Sequence, residues 1–371
     1  MKILLTCLSQ SWGGMEMYSL QTASILSKYG FEVDLLCYPN SRLHIEALKE
    51  NLNTIQLNYA KYFSPIQIFK LNRILKKNNY DLIHAEASKD LWLIVPALQL
   101  SSLKTPLILT KHVGSAIIKR DPLHRWIYKR VNLALAISKV IKKNLAETTT
   151  IPEEKIILLH DSIDTDRFNP DKISKRKIRN EFNISVNDIL IGMNARFSPG
   201  KGHEEFLFAA QELLHRFLNI KFIVVGGASR GEDDYVDKIK SMALSLGLKD
   251  SIIFTGFRGD IPELLASLDI FVFPSHAEAF GIALVEAMSM KLPSVCSNSD
   301  GILDIAVDDV TSYLFQKQNY NDLAEKLSRL INQPEKWDKF GEAARERVLE
   351  NFKSDLITNK LIDIYGSIVI N

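Results

Sequence analysis

Apolar residues in this chain come in short runs, and between the runs the pattern shifts to one that repeats every three or four positions. Short apolar runs bounded by turn residues read as strands buried on both faces, and the slower repeat reads as helices. In the first half the strand candidates are Lys2–Leu8, Glu32–Cys37, Thr54–Leu57, Leu82–Ala85, Leu107–Thr110, Leu133–Ile137 and Ile156–Leu159. Helices are expected between them, such as Glu16–Lys28, ended by Gly30, and Ser138–Thr148, opened by a serine cap. A second series carries strand candidates at Leu190–Met193, Lys221–Val225, Ile252–Thr255, Ile270–Phe273, Ser294–Cys296 and Ser312–Phe315. Helical patterns near 202–217, 232–246, 260–267, 281–290, 302–306, 320–332 and 335–350 accompany it. Strand and helix in alternation predict an α/β protein with parallel, doubly wound sheets.

Between the two series, around residues 168–188, the pattern gives way to charged, turn-rich sequence, including Asn169-Pro170-Asp171 and Lys175-Arg176-Lys177. This predicts one domain over 1–168, a second over 169–350, and an amphipathic C-terminal helix within 351–371. Two doubly wound domains in tandem would turn the C-terminal ends of their strands toward a shared cleft, where such sheets bind ligands.

Composition narrows the function. The 371 residues suit two domains rather than one, and 46% hydrophobic with 24% charged residues is a globular balance. The net charge of +2 conceals an asymmetry: residues 1–170 hold 22 Lys and Arg against 15 Asp and Glu, and the remainder 24 against 29. A basic first half suits an anionic acceptor or surface but is too weak to imply nucleic acid, and no nucleic-acid motif accompanies it. Cys7, Cys37 and Cys296 form no CxxC or His/Cys cluster, so they read as core thiols in a reducing compartment. The apolar start Met1–Leu5 is interrupted by Thr6, Ser9 and Gln10, which favours a first strand over a signal peptide. The longest apolar stretch, Leu91 to Leu100, contains Pro96 and is far shorter than the ~20 residues a spanning helix needs. A cytoplasmic protein, peripheral on the inner face of the membrane at most, is expected.

Glu278 and Glu286 carry the clearest chemistry. They lie eight positions apart in Pro274-Ser275-His276-Ala277-Glu278-Ala279-Phe280-Gly281-Ile282-Ala283-Leu284-Val285-Glu286-Ala287-Met288, directly after the strand candidate Ile270–Phe273. Eight helical positions span ~12 Å, so the two carboxylates cannot share one proton or one metal. They suit an extended polar ligand held at two points, such as a sugar at one end and a ribose at the other. On spacing alone, two solvated glutamates would be the commoner outcome. Ala279-Phe280-Gly281 tilts the balance, because a small turn at a helix start presents free N–H groups that attract anions.

Arg196 and Lys201 flank a Pro-Gly turn in Asn194-Ala195-Arg196-Phe197-Ser198-Pro199-Gly200-Lys201-Gly202. A planar fork and a point charge five residues apart can grip a diphosphate from two directions. The spacing is not that of a P-loop. Near the N-terminus, Trp12-Gly13-Gly14-Met15-Glu16 links strand to helix, with glycines that let backbone amides approach a ligand or simply turn the chain. Glu16 reads equally as a partner of the helix dipole. His112 follows a strand in Thr110-Lys111-His112-Val113-Gly114, whereas His84 reads as packed inside one. Asp164-Thr165-Asp166 superficially matches a metal motif but sits in a turn-like string, and no metal is expected. Lys119–Arg130 is basic and aromatic. On a helix Leu123, Trp126, Ile127 and Arg130 would share a face, for docking on an anionic membrane or, more commonly, for packing into the core.

These strings, in this order, resemble the retaining GT-B glycosyltransferases of the large nucleotide-sugar-dependent family four, the glycosyl transferases group 1. The resemblance runs from about residue 1 to 350. It rests on the PS, E-x-F-G and E-A-M letters of 274–288, the R-x4-K-G loop of 196–202 and the GG-x-E of 13–16. It rests also on Thr-x-His at 110–112, Gly226-Gly227 after Phe222–Val225, and the hinge-side loop 160–168. Asp161 and Ser162 replace the usual Asn-Gly there, Val113 replaces an Asp, and Asp300 and Asp304 depart from a G-G-x-x-E loop. The role of Arg258, where the family has a loop flanking the base, is left open.

The resemblance implies two Rossmann-like domains facing a central cleft, with the last helix crossing back to brace the first. It implies that Arg196 and Lys201 neutralise the departing diphosphate, that Glu278 binds sugar hydroxyls near C3 and C4, and that Glu286 binds the ribose. Backbone amides of Ala279, Phe280 and Gly281 would contact sugar and phosphate. Gly13 and Gly14 would face donor phosphates and acceptor, Gly226 would turn beside the nucleotide, and His112 would meet the sugar near its C6 hydroxyl. The activity implied is metal-independent hexosyl transfer with retention, from a UDP-sugar to a cell-envelope glycan or glycolipid, with no further cofactor. A GT-B nucleotide-sugar epimerase and a non-catalytic sugar-nucleotide binding protein are the competing readings.

Overall fold

A computed structural model describes residues 1–59, 64–228 and 231–369. By its internal contacts the chain divides into two units, Met1–Asp161 with Asp355–Asn371, and Ser162–Ser354.

The first unit is built on seven strands: β1 (Lys2–Cys7), β2 (Glu32–Cys37), β3 (Asn53–Gln56), β4 (Leu82–Ala85), β5 (Leu107–Lys111), β6 (Leu133–Ala136) and β7 (Ile156–Leu158). All pairings are parallel, in the order β3-β2-β1-β4-β5-β6-β7. Its helices are α1 (Gly14–Lys28), α2 (Arg42–Lys49), α3 (Pro65–Asn78), α4 (Leu91–Ser101), α5 (Pro122–Lys129) and α6 (Lys139–Thr148). The expected caps are present: the Ser138 hydroxyl accepts from the Ile141 amide at 3.3 Å, and Gly30 follows α1 at φ +86°. One sheet face is covered by α1, α2 and the last helix of the chain, whose Ile357, Leu361 and Tyr365 pack with Ile3, Leu5, Ala23, Leu26 and Leu35.

The second unit carries β8 (Ile189–Asn194), β9 (Ile220–Val225), β10 (Ile252–Gly256), β11 (Ile270–Phe273), β12 (Ser294–Ser297) and β13 (Ser312–Phe315). They are again all parallel, in the order β10-β9-β8-β11-β12-β13. The helices are α7 (Arg176–Glu181), α8 (His203–Leu214), α9 (Asp233–Ser245), α10 (Ile261–Ser267), α11 (Ile282–Ser289), α12 (Ile302–Ile305), α13 (Tyr320–Ile331) and α14 (Glu335–Asn351). Helix α15 (Ser354–Val369) ends the described chain, and the final two positions of the C-terminal segment expected at 351–371 lie outside the described residues. The core of this unit joins Ile191, Met193, Phe222 and Val272 of the sheet to Phe206, Leu213, Leu327 and Phe340 of its helices.

The α/β class with two parallel sheets is therefore as the alternating pattern predicts. Where each strand order reverses, at β1/β4 and at β8/β11, neighbouring strands send their chains to opposite faces and leave a crevice at their C-terminal ends. The chemistry singled out in the sequence follows those strands.

Candidate functional site

In the second unit β8 and β11 are hydrogen-bonded neighbours, so the loops that leave their C-terminal ends must run side by side. That topology brings Lys201 to Glu278, 77 residues away in sequence: Nζ donates to Oε1 at 2.6 Å. Both side chains are largely but not wholly buried, at 20% and 16% exposure, so the pair keeps a side open to a ligand. The His276 amide donates to the Gly200 carbonyl at 2.9 Å, and its ring Nε2 meets Glu205 Oε1 at 2.8 Å, tying the two loops together.

Two glycines make this approach sterically feasible. Gly202 stands at φ +79°, and a methyl there would lie 2.3 Å from the Pro274 carbonyl oxygen. Gly226, at φ +147° after β9, brings its backbone so close to the next loop that a methyl would sit 1.9 Å from the Ala195 carbonyl oxygen. Arg196 is exposed at the end of β8 and, among the described residues, makes no hydrogen bond or ion pair. The structure thus joins Lys201 to Glu278, whereas Arg196 makes no hydrogen bond or ion pair with either.

Gly281, at φ +118°, caps α11. The Phe280 ring turns inward against Phe352, with centroids 5.5 Å apart, so only backbone from 279–281 is available at the helix start. The Glu278 carbonyl accepts from the Gly301 amide at 3.0 Å, which fixes the base of the loop. Glu286 lies just over one turn into α11, half-buried, and burial pushes its carboxyl up to about 7, opposed by the Arg167 cation. Asp300 adopts φ +46°, a left-handed position that Asp tolerates better than most side chains, so this departure from glycine keeps the turn. Asp164 accepts from the Asp166 and Arg167 amides at 3.0 Å each, and Asp166 pairs with Lys172. The string is a self-capped loop.

In the first unit Gly13 is extended (φ −161°) and Gly14 starts α1. Among the described residues, and leaving aside its own turn of helix, no atom stands within 4 Å of where a Gly14 side chain would begin, so the space above this turn is open. Glu16, one of the two readings left open, is buried in the first turn of α1. His112, at the end of β5, is buried and meets Glu86 of the neighbouring strand end, Nε2 to Oε2 at 2.7 Å. Asp161 Oδ1 stands 3.8 Å from its other nitrogen. His84 is packed within β4, with Nδ1 2.5 Å from the Tyr365 hydroxyl and Nε2 2.6 Å from Thr110 Oγ1.

Sequence reading missed Glu86 and Asp90. Asp90 is also buried, accepts from the Leu8 amide and the Thr6 hydroxyl, and is pushed up to about 6 by burial. The signal was there: two acids just after an apolar strand, with no basic run to solvate them. On α5, Ile127 and Tyr128 are buried, but Leu123 is 61% exposed, not on the packed face that helical spacing assigns it. The helix begins only at Pro122, which places Leu123 in its first turn. Ile117 and Ile118, just before it, are 70% and 68% exposed.

Paired doubly wound parallel sheets define the GT-B class of glycosyltransferases, and the solved structure of a glycosyltransferase from Rickettsia africae has the same fold. It covers 100% of this chain and 99% of its own, with a TM-score of 0.92 and 25% identity. The model described as Glycosyltransferase Family 4 matches residues 12–167, and that described as Glycosyl transferases group 1 matches 174–347. The chain belongs to this family of GT-B glycosyltransferases. Among relatives, it is 26% identical over 239 residues to the capsular polysaccharide biosynthesis glycosyltransferase CapM of Staphylococcus aureus, a match covering 63% of this chain and 61% of that protein. It is 22% identical to the UDP-Gal:alpha-D-GlcNAc-diphosphoundecaprenol alpha-1,3-galactosyltransferase of Escherichia coli, over 96% of this chain and 95% of the other.

Proposed function

We propose that this chain transfers a hexose from a UDP-sugar to a cell-envelope glycan or lipid-linked acceptor, with retention at the anomeric carbon and without a metal. The observation that carries the reading is the Lys201–Glu278 contact at the reversal point of the second sheet, with Glu286 on the helix that follows the Glu278 loop. Support for the donor and acceptor classes comes from the names of the E. coli and S. aureus relatives.

In this mechanism the bond from C1 to the diphosphate oxygen breaks as the acceptor oxygen attacks from the same face. The acceptor proton passes to the leaving phosphate oxygen. Negative charge grows on the diphosphate, and Arg196 and Lys201 lower the barrier by meeting it. Glu278 orients the sugar through its C3 and C4 hydroxyls and keeps Lys201 in place, rather than forming a covalent intermediate. Glu286 accepts from the ribose hydroxyls, and the amides of Ala279, Phe280 and Gly281 hold sugar and phosphate. Gly226 turns beside the nucleotide, Gly13 and Gly14 offer amides to phosphate or acceptor, and His112 meets the C6 hydroxyl. Exposed Ile117, Ile118 and Leu123, next to Lys119, Arg125 and Lys129, would rest on an anionic membrane surface where a lipid-linked acceptor is reached. No helix among the described residues is long and apolar enough to cross a membrane.

The test is transfer from UDP-glucose, UDP-galactose and their N-acetyl forms to an undecaprenyl-diphosphate sugar, with and without EDTA. A single α-linked product is expected. Lys201→Ala should fold and lose about 100-fold or more in kcat, the usual cost of one preorganised charge at a developing anion. Normal turnover by Lys201→Ala or Glu278→Ala contradicts the assignment. An altered free sugar formed without acceptor would mean an epimerase, and binding without turnover of any kind a sugar-nucleotide receptor.

A further inference from the structure

We propose that Glu86 and Asp161 are positioning residues that hold the His112 ring as an imidazolium, so that the first unit keeps a fixed positive charge beside its substrate. The idea rests on the assignment of His112 to the donor sugar made above, and it concerns how that histidine is set rather than whether it acts.

The geometry comes from strand order. β4 and β5 are adjacent, so Glu86, just past the end of β4, faces His112, just past the end of β5, although 26 residues separate them. Asp161 arrives from the chain that follows β7. The ring is thus flanked by two carboxylates, one 2.7 Å from Nε2 and the other 3.8 Å from Nδ1. All three residues are largely buried, and among the described residues Glu86 Oε1 and Asp161 Oδ1 find no hydrogen-bond partner.

A neutral imidazole donates from one nitrogen only. With its hydrogen on Nε2 it satisfies Glu86 but points a lone pair toward Asp161. With the hydrogen on Nδ1 it points that lone pair at Glu86 across 2.7 Å. The doubly protonated ring removes both conflicts and supplies the positive charge that two buried acids require.

The other groups facing this ring act in the same sense or are already occupied. Glu16 on α1 adds a third negative charge, and Tyr18 on α1 places its ring 5.3 Å away. His84 of β4, 3.7 Å from Glu86, is held neutral by burial, and both its nitrogens are engaged by Tyr365 and Thr110. Lys111, next in sequence, directs its ammonium to Ser88 at 3.1 Å, and burial lowers it to about 8. For His112 itself burial lowers the titration point, but the hydrogen bond from Glu86 and the charges of Asp161, Glu86 and Glu16 outweigh it and raise it. Glu86 is correspondingly held below the usual carboxylate range by the two histidines, despite its burial.

The test is an NMR titration of the full chain carrying ring-15N histidine, with His112 assigned by His112→Gln among the 8 histidines. Both ring nitrogens of His112 should be protonated at pH 7.5. In the near-isosteric Glu86→Gln the titration should move down by at least one pH unit, and in Asp161→Asn by less. The alkaline limb of kcat/KM should move with it, costing Glu86→Gln about tenfold relative to wild type at pH 8.5. A neutral His112 ring at pH 7, or an unmoved titration in both folded variants, overturns the proposal. Normal transfer by His112→Gln, with a cationic ring in the wild type, would instead remove the assignment of His112 to the sugar.

Discussion

At the scale of single residues, Glu286 gives a prediction with a definite sign. Burial raises its carboxyl to about 7, so the folded chain holds this proton more tightly than the unfolded chain does. Stability therefore falls as pH rises from the unfolded value near 4.5 through about 7. Ribose hydroxyls donate to a carboxylate, so donor binding should run the other way. Affinity for UDP-glucose, whose phosphates do not titrate in this range, should rise up to about tenfold per pH unit below 7 and level off above about 8. Glu286→Gln should bind weakly at every pH and be more stable by about 2 kcal/mol at pH 8, after allowance for partial exposure. Calorimetric titration and urea unfolding across pH 5.5–8.5 would check both. Affinity independent of pH in the wild type would overturn the proposed assignment of Glu286 to the ribose.

The residues themselves were legible to different degrees. Glu278, Lys201 and Glu286 are marked by local strings, and the contact of the first two needed only the knowledge that their strands adjoin. Glu86 is marked locally only as an acid just after an apolar strand. Its meaning appears only when β4 and β5 are laid side by side, and a distance of 26 residues hides that in one dimension.

Elements were easier, for a physical reason. Parallel strands covered on both faces are mostly apolar, so β11 shows as an unbroken apolar run and β1, β4 and β9 as runs interrupted only by Lys2, Thr6, His84 or Lys221. Helix α4 shows why the rule fails elsewhere: seven of its 11 residues are buried, including Pro96, so no polar face sets a period. The loops after β8 and β9 depend on backbone that only glycine allows. Gly226→Ala would force a methyl onto the Ala195 carbonyl at a φ disfavoured for any other residue. The strain must be relieved by separating the two loops, so a loss of about 2–4 kcal/mol is expected. Nucleotide-sugar affinity should fall with it, while Gly14→Ala, with open space around it, should leave stability unchanged within about 1 kcal/mol. Thermal unfolding of the two variants in parallel checks this. Equal stability would mean that the 195/226 approach does not constrain the loop.

On the scale of the whole molecule, chain order and contact order differ. The last helix belongs by its contacts to the first unit, although the entire second unit lies between them in sequence. Its amphipathic repeat is plain in the sequence, but nothing local says which sheet it covers. Ile357, Leu361 and Tyr365 fill the face that α1 and α2 leave over β1 and β2, and the Tyr365 hydroxyl reaches His84 beneath the Glu86–His112 pair. Leu361→Ala, in the full chain, removes a fully packed side chain and should cost about 2–5 kcal/mol. Tyr365→Phe keeps the packing and should cost about 1–2 kcal/mol through the unpaired His84 nitrogen. Because these contacts belong to the first unit, hydrogen exchange should accelerate in β1, β2 and α1 of Leu361→Ala while β8 and β9 keep their protection. Uniform acceleration across both sheets would instead show that the two units unfold as one.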